Sequence, residues 1–177
     1  MNLIRLQDHI IDVEEGGKSF KDVTPLLMDG MLFSRVVDGM LAEIDNEDFD
    51  VLVSRKESDA FAFAAALAQH TTTPLVTIAQ PGVLKGEKES ISYYAHHQNE
   101  EASLEILKSA RKAVDGKEVI IIDDNLVSGQ INLAEKNLIQ ELGGNVSMML
   151  FLTADSKKDG RTVLNAAGIP HKVFHVY

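Results

Sequence analysis

The chain contains no cysteine and no tryptophan. The first absence excludes a disulfide framework, a thiolate nucleophile and any metal site built on sulfur. Cations are outnumbered, with 17 Lys and Arg against 27 Asp and Glu and a formal net charge of −10. Nucleic acid and anionic membranes are recognised through basic patches, so this balance argues against both as partners. A small anionic ligand remains open, because backbone amides and a divalent cation can hold one. No apolar run reaches membrane-spanning length, and the N-terminus has no charged n-region followed by an apolar h-region. The expected location is the cytoplasm. Internal repeats and low-complexity tracts are also lacking.

What is present is a globular composition, 45% apolar and 25% charged over 177 residues, the size of one domain with a core of normal volume. Short apolar runs alternate with stretches of helical spacing. Asp50 to Ser54, Leu75 to Ile78, Val119 to Ile122, Val146 to Leu152 and Lys172 to Val176 read as strands. Met31 to Ile44, Ala60 to His70, a stretch after Gly129 (Ile131, Ala134, Leu138, Leu142) and Gly160 to Ala167 read as helices. That order implies an α/β fold with a mainly parallel sheet. Residues 1–18 read as a short amphipathic helix, and Thr24-Pro25 as an N-cap followed by the first helical residue. Residues 87–103 read as a polar loop, with Leu104 to Ile106 as an edge strand.

The stretch with most chemical content is Glu118 to Asn132. Four β-branched residues, Val119 to Ile122, mark a strand buried on both faces. Asp123 and Asp124 follow at once, then a loop with Ser128 and Gly129, then a helix. Polar groups are thereby placed at the carboxyl edge of a sheet, where open α/β proteins bind ligands, beside a helix N-terminus with free N–H groups. The same pattern also suits an ordinary strand-to-helix connection with two solvated acids.

Four stretches in order resemble type I phosphoribosyltransferases, most closely the adenine phosphoribosyltransferase family: Phe20 to Leu27, Pro81 to Gly86, Leu104 to Lys108, and Ile120 to Ile131. The likeness covers about residues 1 to 165. It implies a single domain over 1–177, with a five-stranded, mostly parallel sheet flanked by helices. A small hood would occupy about residues 1–28. The implied activity is purine salvage, in which adenine and 5-phosphoribosyl 1-diphosphate (PRPP) give AMP and pyrophosphate. Mg²⁺ would accompany PRPP, with no metal bound by protein ligands alone, and a homodimer would be the assembly.

By the same resemblance Asp123 and Asp124 would accept hydrogen bonds from the ribose hydroxyls, and Val127, Ser128, Gly129, Gln130 and Ile131 would wrap the 5-phosphate. Glu57, Ser58, Asp59 and Lys108 would face the pyrophosphate, Ser19, Phe20 and Lys21 the base, and Glu100 would be the acid near the base. The family's phosphate loop ends Ala-Thr-Gly-Gly-Thr, where this chain has Val127-Ser128-Gly129-Gln130-Ile131. Gln130 would put a side chain where close approach or a positive φ is wanted. Ile131 lacks the hydroxyl. Asp59 stands where the family has an arginine, Ala79-Gln80 where it has a basic pair, and Val83 where it has a lysine. A charge-assisted hydrogen bond is worth roughly 1.5–3 kcal/mol, so these losses weaken the pyrophosphate half by orders of magnitude. The alternative function is therefore a non-catalytic relative that binds a nucleotide or ribose phosphate as a sensor, regulator or partner subunit.

His96-His97 reads as surface rather than as a metal site, since adjacent side chains of an extended segment point apart. His171, Val173 and His175 share one strand face, and Lys157 to Arg161 reads as a solvated turn. Tyr93 and Tyr94 suit stacking on a base or anchoring of their segment about equally.

Overall fold

The computed structural model describes residues 8–15, 18–95 and 100–177. A seven-stranded sheet runs in the order β5-β6-β4-β3-β7-β8-β9. Its strands are β3 (Val51–Arg55), β4 (Leu75–Ala79), β5 (Lys88–Ala95), β6 (Glu100–Leu107), β7 (Glu118–Leu126), β8 (Asn145–Ala154) and β9 (His171–Val176). The five strands from β4 to β9 in that order pair in parallel, as the sequence leads one to expect. β5 and β6 extend the β4 edge as an antiparallel hairpin.

Within residues 87–103, expected to be a loop, Lys88–Ala95 and Glu100 to Ser103 are strand. Ile91, Tyr93 and Ala95 point inward and Ser90, Ser92 and Tyr94 outward, the period of two that a half-buried strand needs. Because β6 pairs with β4 at Ile78–Ile106 and Ala79–Glu105, the part of the hairpin from Glu100 to Leu104 and its partners in β5 projects beyond the carboxyl edge of β4.

Each face of the sheet has its own apolar layer. Val119 and Ile121 of β7 join Val51 and Val53 beneath Ala134, Leu138 and Ile139 of α5 (Gln130–Glu141). Ile120 and Ile122 lie on the other face with Leu52, under α2 (Gly30–Ile44) and α3 (Ala60–Thr71). The β-branched run of β7 is buried on both sides, which is why it reads as a continuous apolar stretch. Asp29 caps α2 by accepting from Met31 N (2.9 Å) and Leu32 N (3.0 Å). The remaining helices are α1 (Thr24–Met28), α4 (Arg111–Val114) and α6 (Gly160–Ala166).

The N-terminal region departs from expectation. Ile11–Glu15 (β1) and Lys18–Asp22 (β2) form an antiparallel hairpin, not a helix. Apolar Ile11 and Val13 alternate with Asp12 and Glu14, a strand period. The first seven residues of the expected helix lie outside the described residues. Thr24 is itself the first helical residue, Val23 holds the N-cap position without a side-chain cap, and Asp22 Oδ1 accepts from Thr24 N at 2.8 Å.

Candidate ligand site

Ser54 pairs with Ile122, so the next residues, Arg55 and Asp123, stand side by side within the sheet, Arg55 still paired with Ile78 of β4 and Asp123 with Phe151 of β8. Strand alternation sends both toward the face covered by α5. Asp123 is fully buried. Its Oδ1 accepts from Arg55 Nη2 (2.6 Å), Ser58 Oγ (3.2 Å) and Asp124 N (3.0 Å), and its Oδ2 from Asn132 Nδ2 (3.0 Å). The same Asn132 Nδ2 donates to Glu135 Oε2 at 3.0 Å. Arg55 Nη2 also lies 3.4 Å from Asp124 Oδ1, and its Nε lies 3.1 Å from Glu135 Oε1. The last contact is an ion pair without the alignment of a hydrogen bond: Arg55 Nε and Glu135 Oε1 both lack a hydrogen-bond partner, as do Asn132 Oδ1 and Ser54 Oγ.

Three carboxylates thus surround one guanidinium. Burial pushes the Glu135 carboxyl up to about 8, with the Asp123 charge adding to the effect. Asp124 rises to about 7 for the same two reasons in the same order. Arg55 is held cationic: desolvation opposes the charge, and Asp123, Glu135 and Asp124 together outweigh it. The tyrosine of β5, Tyr93, lies close enough for Arg55, Glu135 and Asp123 to influence it, though burial is the main cause of its raised pKa.

The structure therefore divides the acidic pair. Asp123 is engaged on both oxygens by protein groups. The Asp124 side chain keeps 27% of its surface exposed at the carboxyl edge. Its main chain is anchored from behind, where Thr153 Oγ1 donates to Asp124 O at 3.0 Å.

The loop after β7 lies beside this edge. Gly129 adopts φ +74°, which only glycine takes readily, and a Cβ there would come within 3.1–3.2 Å of Val163 and Gly160 O. Gln130 is the first residue of α5 and is helical, so the expectation that this position wants a positive φ is corrected: glycine is required one residue earlier. Ile131 packs partly against the core. No side chain caps α5. Ser128 Oγ accepts from Gln130 N only at 3.5 Å, and Val127 O accepts from Gly160 N at 2.9 Å.

Other predicted residues lie farther from the pair or serve different ends. Ser58 is spent on Asp123 and on accepting from Ala60 N (3.1 Å). Glu57 Oε1 accepts from Gln80 N (3.1 Å), tying the β3 and β4 exits together. Asp59 precedes α3 without a side-chain capping bond. Lys108 opens a short 3-10 turn and stands 3.9 Å from Glu89 at the surface. Glu100 is exposed where β6 leaves the hairpin tip and pairs with Ala95. Ser19 and Phe20 lie in β2. Lys21 pairs with Asp12 and stands 4.7 Å above the Tyr177 ring, whose hydroxyl donates to Asn125 Oδ1 (3.2 Å). His96 and His97 lie outside the described residues. Sequence reasoning missed Arg55 as a partner of the acids, and Asn132 and Glu135 altogether. Polar residues three apart on the buried side of α5 were the available signal.

For the Mg²⁺ that the resemblance associates with PRPP, the described residues offer no protein-made seat. Among the described residues no group of three His, Asp or Glu is arranged to hold a metal ion. The adjacent carboxylates already face a guanidinium. No helix is long and apolar enough to cross a membrane.

An open α/β sheet with an acidic edge followed by a glycine loop and a helix is the arrangement of a phosphoribosyltransferase fold. Comparison narrows it. The chain is 34% identical to the adenine phosphoribosyltransferase of Thermoanaerobacter pseudethanolicus over 160 residues, 90% of each chain. It is 30% identical to that of Francisella philomiragia over 173 residues, covering 96% of this chain and 97% of the other. The crystal structure of the Thermoanaerobacter pseudethanolicus enzyme superposes with a TM-score of 0.90 at 30% identity, covering 99% of this chain and 100% of that one. No family model matches the chain. The chain belongs to the adenine phosphoribosyltransferase family.

Proposed function

We propose that this protein takes PRPP and adenine at the carboxyl edge of β3 and β7 and forms AMP and pyrophosphate, with Asp124 as the carboxylate that meets the ribose. The carrying observation is the position of Asp124: part exposed, two residues before the end of β7, which leads into a glycine loop and a helix N-terminus without a side-chain cap. Asp124 accepts the ribose hydroxyls, and the N–H groups of residues 129–131 hold the 5-phosphate. Arg55 and Asp123 form the floor that fixes Asp124. β2, with Ser19, Phe20 and Lys21, lies on the base side, and Glu100 comes from the hairpin tip. Glu57, Asp59 and Lys108 border the pyrophosphate. Mg²⁺ carried by PRPP would supply charge neutralisation of the diphosphate there. Cytoplasmic location and a homodimeric assembly belong to the same proposal.

One observation favours a second reading, a nucleotide binder without turnover. Arg55 neutralises the pair whose negative field would otherwise favour a cationic ribose, and the cations matched to the leaving group are missing. Incubation of adenine with PRPP and Mg²⁺, with AMP measured by chromatography, separates the two. AMP formation supports the first reading. Calorimetric binding of AMP without any turnover supports the second, and binding of neither ligand removes both.

A further inference from the structure

We propose that Arg55 occupies the place of a divalent cation at the acidic pair, so that ligand binding at this edge needs no protein-bound metal. This rests on the reading above only in taking the pair as the ligand's side of the sheet. A divalent cation between two neighbouring carboxylates coordinates their oxygens directly. Here one guanidinium nitrogen, Nη2, lies 2.6 Å from Asp123 Oδ1 and 3.4 Å from Asp124 Oδ1. The charge is tethered to the end of β3, and its side chain is only 16% exposed.

Two further features make this a seat and not a passing contact. Asp123 already accepts four hydrogen bonds, three on Oδ1 from Arg55, Ser58 and the Asp124 amide and one on Oδ2 from Asn132, so a metal at Oδ1 would have to displace one of them. Behind the guanidinium, Glu135 Oε1 and Asn132 Oδ1 are buried acceptors with no hydrogen bond. These oxygens, with those of Asp123 and Asp124, would remain as an all-oxygen, net-anionic cavity if the guanidinium were removed. With it in place, a divalent ion at the pair meets a fixed positive charge within contact distance.

The test is a titration with Mn²⁺ alone, read by electron paramagnetic resonance, on wild type, Arg55→Lys and Arg55→Ala. Asp124→Asn in the Arg55→Ala background reports whether any gained site is at the pair. Wild type and Arg55→Lys should show only weak surface binding. Arg55→Ala should gain one site per chain at least about tenfold tighter, and Asp124→Asn should remove it. A tight site in wild type, or a folded Arg55→Ala without a gained site, overturns the proposal. If Arg55→Ala does not fold, the wild-type titration decides alone. AMP titrated into wild type with Mg²⁺ or with EDTA gives a parallel reading: equal affinity is expected, and a tenfold loss in EDTA overturns it. Because the manganese arms contain no purine or PRPP, they stand even if AMP does not bind.

Discussion

Arg55 Nη2 lies 2.6 Å from Asp123 Oδ1 in the body of the sheet, an ion pair in which the carboxylate is fully buried and the arginine nearly so. A buried pair of this kind contributes little net stability when whole, because desolvation offsets attraction. Breaking it leaves charge without compensation and costs about 3–5 kcal/mol. Arg55→Ala should therefore lower the unfolding free energy measured by chemical denaturation by that much. Arg55→Lys should lose less, since it keeps the charge but not the fork that reaches Asp123, Asp124 and Glu135 together. Equal stability of Arg55→Ala and wild type would show that the cluster is not closed as described.

The pH dependence of stability follows from the same cluster. The folded state holds the Glu135 proton up to about pH 8, against an ordinary 4.5, and the Asp124 proton up to about 7, against 3.8. A carboxyl raised on folding imposes no penalty below its unfolded pKa and an increasing one as pH rises to its folded pKa. Stability should fall between about pH 4 and 8 and level off above. Glu135→Gln should remove its share of that slope, up to roughly 5 kcal/mol across the window. Thermal unfolding of both proteins at several pH values measures it.

Gly129→Ala places a methyl group at φ +74° and against Val163 and Gly160 O. The expected cost is about 1–3 kcal/mol. AMP binding should weaken as well, because the displaced loop is the one that holds the phosphate. Denaturation and calorimetry on the same sample separate these effects.

The missing pyrophosphate cations make a gain-of-affinity prediction. Asp59→Arg combined with Gln130→Gly and Ile131→Thr should tighten PRPP binding by at least tenfold, the lower bound for one charge-assisted hydrogen bond. Gln130→Gly will cost the helix start about 0.5–1 kcal/mol. Unchanged PRPP affinity in the folded variant would show that Asp59 does not face the leaving group.

The parallel core was legible in the sequence because β7 and its neighbours are continuous apolar runs, and the family because motifs kept their order from Phe20 to Ile131. The β5–β6 hairpin was missed because its alternation is carried by Ile91, Tyr93 and Ala95 among polar residues, a weaker signal than an apolar run. The N-terminal hairpin was missed because its few apolar residues satisfy a helical spacing as well as a strand's. The site was legible only in outline. Strand parity decides which aspartate turns under α5, and parity depends on where the strand ends, the least certain feature of a sequence reading. Arg55 could be assigned to Asp123 only once β3 and β7 were known to be neighbours.

Titration of AMP into wild type and Asp124→Asn by calorimetry tests the central claim most directly. Asp124 is the part-exposed acid at the carboxyl edge, so its neutral, isosteric replacement should leave the fold intact and weaken AMP binding by at least about tenfold, the loss of one charge-assisted hydrogen bond. Equal affinity of the two proteins for AMP would contradict the placement of the ribose at Asp124.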